Sequence, residues 1–271
     1  MNPLLPFVLL GLGLGYGEAE VAKFERLAAA EVSSQLQGEG RSVRVDAVPF
    51  AFSAGWGRMQ SAEIDARDFS LRQLPFFTEP WRSKAGRLDT LRLRLRDFNL
   101  RGLQIAELSA DIPDCRFDFG LARDKKIFRI SKSGEGTGSV RVDEKALADY
   151  IVEKYAEVKS CTVKVYNDVV WVEGYGEFLI VNTNFTVIAK LTPLDGTKLV
   201  LTDAKIYFDW NRADEAAAKV ILDLLNPVVD LYGDLGLYDA ISVTEVRLRD
   251  GYVLARGKTR VPIKPEAPAS R

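Results

Sequence analysis

The residue types that usually carry chemistry are sparse in this chain. Histidine is absent from all 271 residues, which removes the common neutral-pH general base, metal ligand and pH switch together. Cys115 and Cys161 are the only cysteines. They stand far apart in neither a CxxC nor a zinc-type spacing, so sulfur-based metal binding is not expected. Two readings of them stay open: one disulfide in an exported protein, or two small apolar core residues. Acid–base work needs carboxylates whose pKa values are pushed apart, and no pair stands out among the scattered Asp and Glu. Gly134-Glu135-Gly136-Thr137-Gly138 lacks the lysine-serine ending of a phosphate loop and leads into a strand, so it reads as a turn. The expectation is a non-enzymatic protein with no cofactor and no metal. Lys plus Arg (37) nearly balances Asp plus Glu (38), so nucleic acid is not an expected partner.

Two groups remain with binding potential. Phe50, Phe52 and Trp56, with Phe76, Phe77 and Trp81 in the following loop, are dense enough to form a rim that touches membrane, or to be core packing. In Leu91-Arg92-Leu93-Arg94-Leu95-Arg96, strict alternation puts the leucines on one face and the arginines on the other. Such arginines could meet anionic headgroups, but a charged strand face more commonly serves solvation and edge protection.

The elements that must position these residues follow from periodicity. Residues 1–17 read as a targeting segment, with an apolar run from Leu4 to Tyr16 followed by small residues. The run is shorter than the ~20 residues that cross a bilayer, and no Lys or Arg follows Met1. A cleaved signal, an uncleaved tether and a mis-chosen start are the alternatives. Residues 18–263 form a single α+β domain, and 264–271 a disordered tail. Glu18 to Leu36 shows the three- and four-residue spacing of an amphipathic helix. Strand-like alternation recurs in Ser42 to Asp46, Ala62 to Phe69, Ile105 to Ile112, Cys115 to Phe119 and Gly138 to Val142. A second helix is signalled after Asp143, with Leu147, Ile151, Tyr155 and Val158 on one face. Hairpins are expected at Asn167-Asp168 and Asp250-Gly251, and long strands over Phe178 to Leu191 and Leu199 to Trp210. Asn211 is read as the cap of a third helix from Ala213 to Tyr232, kinked at Pro227 and carrying Ile221, Leu224, Leu225 and Val228. Long antiparallel strands with a few apolar helices leave open a solid core or a partly filled interior.

Val43-Arg44-Val45-Asp46-Ala47-Val48-Pro49-Phe50, then Gly55-Trp56-Gly57-Arg58 and Ala62-Glu63-Ile64-Asp65-Ala66, resembles the opening of the LmeA-like family, typified by the mycobacterial lipomannan-elongation maintenance protein. The order of later elements is similar too, although Leu235-Gly236-Leu237-Tyr238 stands where that family commonly has a leucine-proline turn. The resemblance rests on apolar pattern and turn residues over about Val21 to Ile263. It implies a phospholipid or other acyl-lipid ligand, a location in the periplasm or cell envelope, contact with a membrane surface, and a long curved antiparallel sheet wrapped on helices, as in the tubular lipid-binding superfamily. It implies no catalytic residues. The expected lipid site comprises Phe50, Phe52 and Trp56 at a rim, and Leu91, Leu93, Leu95, Leu147, Ile151, Ile221, Leu224, Leu225 and Val228 in a groove between helices and inner strand faces. The alternative is an envelope interaction protein with a solid core and no ligand.

Overall fold

The computed structural model describes residues 21–23, 25–50, 57–125, 127–178 and 182–263. The apolar leader, Phe52, Trp56 and the 264–271 tail lie outside the described residues. Helix α1 covers residues 25–35. It is followed by β1 (Ser42–Pro49), β2 (Arg58–Leu71), β3 (Gly86–Leu100), β4 (Leu103–Phe117), α2 (Phe119–Lys125), β5 (Ile130–Lys132), β6 (Gly136–Asp143) and α3 (Glu144–Lys154). The second half runs through β7 (Val158–Tyr166), β8 (Val169–Glu177), β9 (Asn182–Leu194), β10 (Lys198–Phe208), β11 (Asn211–Arg212), α4 (Glu215–Leu225), β12 (Val229–Asp230), β13 (Ile241–Arg249) and β14 (Tyr252–Thr259).

The architecture is mixed α+β and mostly sheet. Sheet A has the order β1-β2-β3-β4-β6-β14-β13 with β5 beside β4, and sheet B the order β11-β10-β9-β8-β7 with β12 beside β10. The strand pairs are antiparallel with one exception, since β2 and β3 run parallel. A parallel pair cannot be joined by a tight turn. Residues 72–85 therefore carry the chain back along the sheet, and Leu74, Pro75 and Phe76 come to lie against its inner face.

Sheet A curls because its alternation slips phase at matched positions. Along β2 the inward residues are Ala62, Ile64 and Ala66, then Phe69 and Leu71; along β3 they are Leu91, Leu93 and Leu95, then Phe98 and Leu100. The three-residue steps fall at Asp68 and Asp97, both with positive φ (58° and 51°), a conformation Asp tolerates better than most residues. Pairing aligns the slips across three strands, with Ala66–Leu95–Leu108 on one side and Phe69–Phe98–Ile105 on the other. Phe69 and Phe98 stack there at 4.9 Å. A second line of slips runs between the rows Met59–Leu88–Cys115 and Ala62–Leu91–Ile112, with Asp114 at φ 48°. The expected break between Ile112 and Cys115 is thus a kink inside one strand, β4.

The hairpins at Asn167-Asp168 and Asp250-Gly251 form as expected. The third helix is shorter than its apolar run suggested. It ends at Leu225, and its cap is Asp214, whose Oδ1 accepts the Ala217 N–H at 2.8 Å. Asn211 lies instead in β11. Helix α2 was not anticipated. Before α3, Asp143 takes up the Ncap position but accepts from Arg141 Nε at 3.1 Å rather than capping. Cys115 is buried in sheet A and Cys161 half-buried on β7, both as free thiols, so the disulfide reading gives way to the packing one. Burial pushes each thiol up to about 11. One apolar cluster links both sheets, and a smaller one centres on Leu88, Leu91, Ile112, Cys115 and Phe117.

Candidate functional site

Among the described residues, the inner face of sheet A borders two adjoining, mostly apolar spaces. Three successive cross-strand rows over β2, β3 and β4 read Ala62–Leu91–Ile112, Ile64–Leu93–Ala110 and Ala66–Leu95–Leu108. Every row contains one alanine. A solid core would fill such a gap with a larger side chain from the facing layer, to reach crystal-like density. Here the facing layer is α1 and the 72–85 crossover, and it leaves two adjoining cavities. One, of about 300 Å³, is lined by residues including Ala28, Val32, Ala62, Ile64, Phe76, Leu91 and Phe128. The other, of about 90 Å³, continues over Ala66, Leu93, Leu95, Leu108 and Ala110 to Leu237 and Ala240. Val32, Ile64, Pro75 and Phe76 line both, so together they form one groove along the strands. From Leu91 to Leu100 the floor advances nine residues, roughly 30 Å at ~3.3 Å per residue.

Arg260, paired with Asp239, lines the narrower cavity, and a larger charge cluster lines the wider one. Arg129 Nη1 meets Glu31 Oε1 of α1 at 2.5 Å, and its Nε lies 3.5 Å from Glu79 Oε1. Glu31 Oε2 also accepts the Phe128 N–H at 3.3 Å, and Arg82 pairs with Glu79. The cluster ties α1 to the crossover and to the segment before β5. Near residue 47 a further tie forms, because Glu25 Oε1 accepts the Ala47 N–H at 2.8 Å. Among the described residues no cluster of His, Cys, Asp or Glu is arranged to hold a metal ion, and no helix is long and apolar enough to cross a membrane.

The sequence-predicted residues divide between two interiors. Leu91, Leu93 and Leu95 line the sheet A groove. Leu147, Ile151, Leu225 and Val228 surround a different space, about 30 Å³ between α3, α4 and sheet B. That is the room of about one water molecule, too small for an acyl chain as the side chains stand. Ile221 is buried in the same core and Leu224 packs partly buried against it. Phe50 is exposed at the end of β1. Trp81 lines the larger cavity yet remains 75 % exposed, which places its indole at the mouth. Phe76 and Phe77 line that cavity as well.

The arginines on β3 point away from the groove. Arg96 Nη2 donates to both oxygens of Asp65, at 2.8 and 2.9 Å, and Arg94 Nη2 to Asp111 Oδ1 at 2.9 Å. Because β3 lies between β2 and β4, these side chains protect no sheet edge; they form cross-strand pairs on the wet face. Reading residue by residue missed the contribution of α1, whose Ala28 and Val32, with Leu36 just beyond its end, roof the groove. Their three- and four-residue spacing was the available signal. Compared with known proteins, the chain matches no family model, no curated protein and no solved structure.

Proposed function

We propose that this chain is a non-enzymatic lipid-binding protein that holds an acyl chain in the groove between α1, the 72–85 crossover and the inner face of sheet A. The observation that carries the reading is the alanine in each cross-strand row beneath a facing layer that does not fill the gap. A space of about 300 Å³ stands at the lower end of the ~300–1,000 Å³ usual for small-molecule sites. With its narrower continuation it suits one chain rather than two side by side. A floor of roughly 30 Å matches the hydrocarbon thickness of a whole bilayer, which two opposed chains fill, so depth is ample for one. Each methylene withdrawn from water contributes about 0.8 kcal/mol.

The wall is mostly apolar and its charges are paired, Arg129 with Glu31 and Glu79 and Arg260 with Asp239, so a ligand headgroup belongs at the mouth. The resemblance to the LmeA-like family points in the same direction. The Leu4 to Tyr16 run favours a place in the cell envelope, which fractionation of cells expressing a tagged chain tests.

Native mass spectrometry and solvent extraction of purified protein test the ligand. Co-purified acyl lipid is the expected result. Leu93→Trp, which intrudes on the groove, is expected to lower lipid occupancy with little change in the melting temperature of delipidated protein. If no lipid is found and Leu93→Trp melts far lower, the interior is solid and the chain is an interaction protein without a ligand.

A further inference from the structure

The lipid-binding reading leaves open where the ligand comes from, and one end of sheet A bears on that. The row Pro49–Met59–Leu88–Cys115 marks this end. Beyond it lie the end of β1, the residues leading into β3 and the segment between β4 and β6. The larger cavity reaches it, and Trp81 stands at the mouth with 75 % of its surface exposed. Val48 and Phe50, at the end of β1, are exposed here too.

Charge is distributed unevenly toward this end. The described residues of segments 57–60, 79–89 and 113–135 carry nine Lys or Arg against six Asp or Glu, an excess of three positive charges in a chain whose total is −1. The remainder of the protein is therefore net acidic. A third observation is independent of both. The Glu25 side chain accepts the Ala47 N–H at 2.8 Å, two residues before the end of β1, so α1 starts at this end. From this end α1 runs along the groove, with Ala28 and Val32 in its roof.

We infer that this rim docks on the surface of an anionic bilayer. Trp81 seats at the interface, where tryptophan is favoured, and the surrounding basic side chains meet the headgroups. Each such charge near the surface is worth about a fivefold gain in partitioning. An acyl chain then passes between bilayer and cavity without crossing water. The inference rests on the lipid-binding reading and names the partner surface of that site.

Co-sedimentation of the full chain with phosphatidylcholine vesicles, with and without phosphatidylglycerol, tests it at low and high salt. Wild type is expected to bind only the anionic vesicles, and less at high salt. Lys84→Glu combined with Lys125→Glu, both exposed and outside the cavity lining, is expected to weaken binding at least about tenfold. The same variant is expected to take up a fluorescent fatty acid from solution as wild type does. The apolar leader is common to both proteins, so the difference belongs to the rim. Trp81→Phe reports insertion, because the blue shift of wild-type emission on vesicles is expected to shrink. Normal fatty-acid uptake with no vesicle binding, or with binding unchanged by the charge reversals, overturns the docking surface alone. Failure of folded wild type to take up the fatty acid overturns the cavity reading and the docking role with it.

Discussion

Lys154 shows how single residues hold the second interior closed. Its ammonium donates to Asp234 Oδ2 at 2.6 Å and to the Pro227 and Val228 carbonyls at 2.8 and 3.0 Å, so its three protons are used. Tyr155 Oη lies 2.8 and 2.9 Å from the Leu225 and Pro227 carbonyls, which share its one proton. Together they bind the end of α3 to the chain that follows α4. Burial pulls the Asp234 carboxyl upward, but hydrogen bonds from Lys154 and the Asp230 N–H, with the Lys154 charge, outweigh it and hold the group below its ordinary value. A depressed carboxylate contributes stability above its unfolded pKa of about 3.9, and that contribution disappears as pH falls through the lower folded value. Asp234→Asn is therefore expected to cost about 1–3 kcal/mol at neutral pH. In urea titrations the gap to wild type should be constant above about pH 5 and shrink below about pH 4. A gap that stays constant to lower pH would remove the carboxylate from this role.

At the scale of elements, the kinks decide whether sheet A can enclose anything. Each three-residue step keeps apolar side chains facing inward while the strand changes direction, and a left-handed residue makes the step possible. Asp97, at φ 51°, is an instructive position because its side chain is exposed and its backbone strained. A β-branched residue is expected to cost ~1–3 kcal/mol there, whereas glycine, free of the Cβ penalty, should fall within about 0.5 kcal/mol of wild type. Denaturant unfolding of Asp97→Val and Asp97→Gly measures both. Equal stabilities would mean that the conformation at residue 97 does not govern the bend.

On the scale of the whole molecule, two interiors of different density lie side by side. Around α3 and α4 the side chains leave about 30 Å³, whereas the sheet A groove leaves about 300 and 90 Å³. Ile151→Ala should therefore open a cavity in close packing and cost about 2–5 kcal/mol. Ala110→Leu, which adds volume to a row that has space, should cost less than the ~1–3 kcal/mol of overpacking while lowering lipid uptake. Thermal melts of the two variants distinguish a hollow groove from a second solid core.

Local pattern was enough for much of this molecule. The alternation of Leu91 to Arg96, the turn residues at Asn167-Asp168 and Asp250-Gly251, and the spacing in α1 and of Leu147 and Ile151 in α3 are properties of neighbours in the chain, so face, hairpin and helix could be read directly. Helix α3 nonetheless ends at Lys154, and Val158, expected on its face, opens β7. Four features were beyond that reach. The parallel pairing of β2 with β3 depends on where residues 72–85 cross, and no periodicity records a crossover. The kinks at Asp68, Asp97 and Asp114 look like strand ends in sequence, because a phase slip and a break give the same pattern until the partner strands are aligned. The length of α4 was overread because apolar side chains from Val228 to Leu231 pack as irregular chain and a short strand as well as they would in a helix. Finally, Leu93 and Ile151 are alike in sequence as apolar residues on an inward face. Only the packing of whole layers, with an alanine in each row beneath α1 and none of that slack beneath α3, makes one the wall of a groove and the other part of a core.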